Sequence, residues 1–231
     1  MGSRLIVLLC FSALAGCGTM NAARPLEAGQ HRVGFTFGGP FTTQLGPPIP
    51  APMLLVEARS GLKPLGRMPL DANYGLNLTT LAFGDIGLHG GASLHIAQPD
   101  SWRPGLVITE RLHVYNNFLD ITKPVESRKL WGINEFDITA TWALNDQRFY
   151  LGVTDALDLS DPELLVGPFF GIDLLGKKRR AGFHFETRLQ AINFSPEVQD
   201  VTWVSLGEAP GNGVVQVSLG ASWALGKEAG Q

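Results

Sequence analysis

An all-β chain, folded as an antiparallel up-and-down transmembrane β-barrel of about ten strands (range about 8–12), is what this sequence predicts. Three observations carry that expectation. Apolar and polar residues alternate with period two along most of the chain, the pattern of strands with two unlike faces. Hydrophobic content reaches 45% and charge only 17%, yet no apolar run approaches the roughly 20 residues of a membrane-spanning helix. Short polar turns and long loops also fall at opposite ends when the strands are counted off up and down.

The chain begins with the layout of an export signal. Arg4 supplies a positive charge, and residues 5–15 (LIVLLCFSALA) form an apolar run of signal-peptide length. The run ends in Leu14-Ala15-Gly16-Cys17, which resembles the lipobox of bacterial lipoproteins. The resemblance implies removal of residues 1–16, attachment of diacylglycerol to the Cys17 thiol and acylation, as with palmitate, of the new amine. It further implies a Gram-negative sorting route: Gly18 is not the aspartate that retains such proteins at the inner membrane, so delivery to the outer membrane follows. Outer-membrane lipid and the lipoprotein-sorting machinery are the partners implied. Cys10 lies within the removed peptide, so lipid consumes the one mature cysteine and none remains for a disulfide, a nucleophile or a metal.

Residues 17–29 read as a lipidated tether, flexible because residues 18–29 (GTMNAARPLEAG) are small and polar. Residues 30–226 form the barrel domain and 227–231 a tail. Within the barrel, the clearest strand is 85–96, with Ile86, Leu88, Ala92, Leu94 and Ile96 on one face and Asp85, His89, Ser93 and His95 on the other. Segments 71–79, 131–144, 181–191 and 213–225 repeat the alternation. Less regular strands are expected at 32–38, 53–60, 105–115, 149–155 and 167–175. Glu110 breaks the pattern in the third of these, which suggests a bulge or an interface position. No helix of useful length competes; the best candidate, 162–166, is too short. Tight turns at 145–147 and 176–179 fall at the end where the first strand begins. Long loops at 42–51, 116–129 and 195–212 fall at the other, the habit of outer-membrane barrels.

Alternation alone does not say which face meets water, because a lipocalin-like soluble barrel alternates too. The polar face decides: all six lysines lie outside the strand cores, and the face is Gly, Ser, Thr and Asn with a few charges, as suits a confined lumen. Trp142, Trp223 and Trp131 near strand ends fit aromatic girdles. The mature chain broadly resembles small outer-membrane β-barrel proteins, and residues 213–225 (GVVQVSLGASWAL) resemble their amphipathic, aromatic-bearing last strand. That implies recognition by the barrel-insertion machinery, although six residues follow Leu225. A periplasm-facing β-sandwich or lipocalin-like lipoprotein binding module is the rival reading.

Candidate chemistry is sparse. A net charge of −3 and the absence of a Lys/Arg block exclude a nucleic-acid partner. His89, His95, His113 and His184 share the polar face, but His89 and His95 stand about 20 Å apart on one strand, so no metal site is expected. Ser93 and His95 share a face, as a lipid hydrolase would need, but no acid or oxyanion hole accompanies them; the chain reads as non-enzymatic, without cofactor. The expected site is a lumen network of Glu57, Arg59, Arg111, Glu135, Asp137, Asp173, His184, Glu186 and Arg188, with Asp71, Asp85 and Arg32 also inward. Charges in a narrow lumen must pair or meet water, and ten strands lie near the size at which side chains fill the barrel. The role expected is structural, binding or that of a minor channel.

Overall fold

In the computed structural model, the described residues are 21–42, 48–50, 52–82, 84–100, 102–117, 130–159, 164–176, 180–190 and 213–225. Eleven strands occur in chain order: β1 (His31–Thr42), β2 (Ile49–Pro50), β3 (Met53–Leu65), β4 (Met68–Asn77), β5 (Asp85–Ala97), β6 (Gly105–Asn117), β7 (Leu130–Leu144), β8 (Gln147–Asp158), β9 (Leu164–Leu175), β10 (Ala181–Gln190) and β11 (Val214–Leu225). Setting β2 aside, each strand pairs antiparallel with the next. β11 then returns to β1, from His31↔Leu225 to Pro40↔Gln216, and closes a ten-stranded barrel. Closure leaves no open edge, and an even number of strands lets the last pair be antiparallel as well. β2 pairs only with the end of β1, at Phe41 and Thr42.

The tight turns and long loops named from the sequence fall at the ends expected, although the long-loop end also carries the shorter connections 78–84 and 159–163. Gly66–Arg67 and Asn145–Asp146 join β3 to β4 and β7 to β8 at the end where β1 begins. Gly66 (φ 65°) and Asn145 (φ 55°) both sit in the left-handed region, which tight hairpins demand and which Gly and Asn tolerate best. Residues 98–104 and 176–180 connect strands at the same end. The connections over 43–52, 118–129 and 191–213 lie at the opposite, long-loop end.

Burial confirms the predicted faces. Asp85, His89, Ser93 and His95 are buried inside, whereas Ile86, Leu88 and Ile96 are exposed outside. Phe35, Phe37, Ile138, Leu151, Phe170, Phe183 and Leu219 continue the exposed apolar band around the barrel. A closed sheet with an apolar outside and a polar inside satisfies its own backbone, so strands can cross a bilayer where loops and open sheets cannot. No helix among the described residues is long and apolar enough to span one. Trp223 belongs to the outer surface, against Phe35 with ring centroids 5.7 Å apart.

Several expectations need correction. Trp131 is not in a girdle: it stacks on the lumen residue Tyr115 at 4.1 Å. No bulge occurs at Glu110, which pairs in register with Ala92 and Phe136 and faces outward; the irregularity in that hairpin lies between His95 and Ala97. The short helical turn is α1 (Leu78–Leu81), where Asn77 accepts from the backbone N–H groups of Thr79 and Thr80. Leu164–Val166, in the stretch 162–166 set aside as too short for a helix, is strand, and residues 162–163 lie outside the described residues. Finally, residues 21–30 are not a loose tether. Asn21, Ala22, Ala23 and Leu26 are buried within the barrel.

Candidate functional site: the filled lumen

The lumen has a charged centre built from strands far apart in sequence. Arg188 of β10 donates through Nη1 to Glu135 Oε1 of β7 at 2.7 Å and through Nε to Glu186 Oε1 at 2.7 Å. Arg111 of β6 donates to the same Glu135 Oε1 at 2.9 Å and to Asp137 Oδ2 at 2.7 Å. Asp137 also lies 3.9 Å from Arg188. His113 Nε2 lies 3.1 Å from Glu135 Oε2, and the Tyr150 hydroxyl donates to Glu186 Oε2 at 3.0 Å. Arg111, Glu135, Asp137, Glu186 and Arg188 are all at most 3% exposed. Two arginines thus share three carboxylates, an arrangement that repays desolvation only when nearly every lone pair is met.

Two further groups lie toward the short-turn end. Arg59 donates to Asp71 Oδ2 at 2.5 Å, and His95 Nε2 lies 3.1 Å from the same oxygen. Asp173 accepts from Arg24 Nε at 2.9 Å and lies 3.5 Å from His184 Nδ1. His184 Nε2 faces Ser222 Oγ at 3.0 Å. Glu57 is half-buried, with Oε1 3.7 Å from His89 Nε2. It lines the lumen within the field of Arg111, Arg59, Glu135 and Glu186.

What joins these groups is residues 21–30, whose role the sequence reading missed. Asn21 donates through its backbone N–H to Glu186 Oε2 at 3.1 Å, and its side-chain oxygen accepts from Arg111 at 3.2 Å. Arg24 reaches Asp173 and also donates to the Asp146 carbonyl in the β7–β8 turn. Its own carbonyl accepts from Arg59 at 2.7 Å. The Leu26 N–H donates to Asp71 Oδ1 at 3.0 Å. Ala23 packs with Tyr150 and Phe169, and Arg188 lies 5.0 Å over the Phe169 ring. The one available signal was Arg24, a lone cation in an otherwise small and nearly uncharged stretch.

Glycines make room for the large inward side chains. A Cβ on Gly171 would meet the Tyr150 ring at 2.3 Å, one on Gly75 the His89 ring at 2.5 Å, and one on Gly152 the Phe169 ring at 2.5 Å. Small and large residues therefore alternate across neighbouring strands, as filling a narrow barrel requires. Beside Asn21, between Arg32, Thr36, Glu57, Arg59 and His184, a cavity of about 50 Å³ remains, space for one or two water molecules.

Ser93 and His95 each have other partners. Ser93 Oγ accepts from Thr109 at 2.9 Å and from Asn73 at 3.4 Å, while His95 Nε2 lies 3.1 Å from Asp71 Oδ2, so the structure does set an acid beside this histidine, which the sequence reading did not expect. Among the described residues no group of three His, Cys, Asp or Glu is placed to hold a metal ion.

No protein-family model and no curated protein matches this sequence. Solved structures do match by shape. The COG4313 outer membrane channel from Pseudomonas putida F1 superposes with a TM-score of 0.50 at 8% identity, covering 90% of this chain and 99% of its own. A NanC porin aligns with a TM-score of 0.45 at 10% identity, covering 85% and 100%. The translocator domain of the autotransporter NalP from Neisseria meningitidis gives 0.44 at 10%, covering 95% of each chain. The chain therefore has the fold of outer-membrane β-barrels, and at these identities the likeness is one of fold alone.

Proposed function

We propose that this protein is a lipid-anchored outer-membrane barrel, held through Cys17, whose role is structural or binding with at most minor conductance. The carrying observation is the lumen: Arg111, Glu135, Glu186 and Arg188 are buried in one ion-paired cluster, and residues 21–30 fill the space toward the short turns. The exposed apolar band supports insertion, and the outer membrane is where closed barrels of this kind reside. The short-turn end faces the periplasm in this reading. The filled lumen, in which Ser93 and His95 are buried and bonded to other partners, favours a non-enzymatic role.

Two measurements test it. Labelled palmitate should enter the wild-type chain and not Cys17→Ser; incorporation that survives the substitution would remove the lipid anchor from the reading. Purified protein in planar bilayers should pass little current, with any residual current favouring cations, because inward acids outnumber inward arginines. A large, stable, weakly selective conductance would make a porin-like role the better account.

A further inference from the structure

The apolar outer band is interrupted on one wall, and we infer that a second copy of this chain docks there within the membrane. Glu110 is the centre of the contact, and Gly90 lets the two walls come close. The interface rests on insertion of the barrel in a bilayer and is independent of the lipid anchor.

Glu110 is the sixth of the 13 residues of β6 and is exposed on the outside, between the outward Ile108 and Leu112. At roughly 3.3 Å per residue and a tilt near 40°, it stands about 13 Å from one end of the strand and about 18 Å from the other. That is well inside an apolar band roughly 25 Å tall. Across the ladder Glu110 pairs with Ala92 and Phe136. Asp155 pairs with Phe136 from the other side and shares the outward face of Leu151 and Val153; its Oδ1 is shielded yet accepts no hydrogen bond. Asn134, two residues along β7 from Phe136, adds an amide to the same wall. Among the described residues, these three side chains make no hydrogen bond or ion pair. Lipid tails offer neither donor nor acceptor, so polar side chains at this depth are met by protein or water.

Gly90 is an independent sign. Other strand glycines make room within the barrel: a Cβ on Gly75 would strike the His89 ring, and one on Gly91 the Glu110 carbonyl. Gly90 is exposed on the outer face, pairs with Leu112 beside Glu110, and is not in the left-handed region. A Cβ there would meet nothing within 4 Å, so neither its own backbone nor the barrel's packing calls for glycine. Glycine inside a strand marks a place where another backbone comes close. Ala92 and Ala72, paired with each other on the same face, widen the shallow ground. The wall itself selects the occupant. Between the two rims, the outward strand positions carry no Lys or Arg among the described residues, so a head-to-tail contact would find no cation for Glu110. A two-fold contact needs none. Both copies enter the membrane the same way round, so the axis runs along the membrane normal and each residue meets its counterpart at its own depth. The two Glu110 carboxyls then share one proton in a short hydrogen bond, with the Asn134 amides as further donors and small residues allowing close packing.

The test uses the full chain in isolated outer membranes. Ala92→Cys should give a disulfide-linked homodimer on mild oxidation, whereas the parent chain and Leu219→Cys, on the opposite wall, should not. Gly90→Val should leave the folded gel mobility of the monomer unchanged, because the new side chain enters open space, and should lower the Ala92→Cys dimer yield about tenfold or more. Glu110→Leu should lower it as much, while Glu110→Gln, which keeps a donor and an acceptor, should retain it. Equal crosslinking from Ala92→Cys and Leu219→Cys would mean random collision and overturn the interface. Dimer yields indifferent to Gly90→Val and Glu110→Leu would overturn it as well, as would a crosslink from Ala92→Cys to a different protein. An inserted chain that stays monomeric sinks the interface alone; a folded chain found only in the soluble fraction sinks the membrane-barrel reading together with it.

Discussion

The two halves of the lumen are filled by different means. Toward the long loops, the barrel fills it with its own side chains: Met53, Leu55 and Tyr115 form a buried apolar cluster against Trp131, beside buried Asn77, Asp85 and Gln190. Toward the short turns, the strands present acids, arginines and histidines, and a separate piece of chain completes the packing. An apolar filling needs only volume and shape. A charged filling needs partners, and each missing partner leaves a desolvated group with nothing to offset it. Among the described residues, the first half is filled from the strands and α1, while the second also takes in residues 21–26.

The sharpest way to break the charged side is Arg188→Met, which keeps the volume and removes the charge shared by Glu135 and Glu186. Stripping one partner from a buried cluster costs about 3–5 kcal/mol, so the barrel should lose its folded gel mobility at a clearly lower temperature. A second change, Glu186→Gln, should return part of that loss. If Arg188→Met melted like wild type, the network would not hold the barrel.

On the apolar side, Leu55→Ala removes a side chain that is 1% exposed and should cost about 2–5 kcal/mol through lost contact and the cavity left behind. Its effect should be nearly independent of salt, unlike changes in the charged half. A strong dependence on salt would mean that the two halves are not separate.

The outer face gives a control that touches neither half. Ile138→Arg puts a charge where the side chain is 48% exposed on the apolar band, at a cost of about 2–4 kcal/mol near the bilayer midplane. Assembly into membranes should fall, and solubility of the mutant chain in detergent-free buffer should not improve. A soluble, folded mutant would favour the periplasmic binding module over the membrane barrel.

The smallest expected effect is also the most discriminating. Arg24→Ala removes hydrogen bonds to Asp173 and the Asp146 carbonyl, worth about 1.5–3 kcal/mol for bonds to a charged group. That loss should appear as a lower temperature for the loss of folded gel mobility, smaller than that of Arg188→Met. An unchanged temperature would mean that the Arg24 contacts do not hold the segment in the lumen.

Much of this architecture is a local property of the sequence. Period two alone assigned Asp85, His89, Ser93 and His95 inward and Ile86, Leu88 and Ile96 outward, because a strand turns successive side chains to opposite faces whatever surrounds it. The same rule placed Glu135, Asp137, Glu186 and Arg188 in the lumen and counted ten strands. Turn chemistry at Asn145 and the spread of loop lengths then ordered the two ends of the barrel.

Partner choice is not local, and only the tertiary structure decided it. Arg188 and Glu135 are 53 residues apart, on strands that do not pair, and they meet because the barrel is closed and narrow. Trp131 is an exception: period two already puts it on the inward face of Glu135 and Asp137, where it stacks on Tyr115, so its girdle assignment went against the local rule. Glu110 needed no bulge because the ladder around it holds its register, although it leaves a carboxylate outside. Residues 21–30 carry no period and little charge, and by composition they read as a tether. Their place was set by Asp71, Asp173 and Glu186, three acids brought together only by ring closure, whose lone pairs had to be met by something inside.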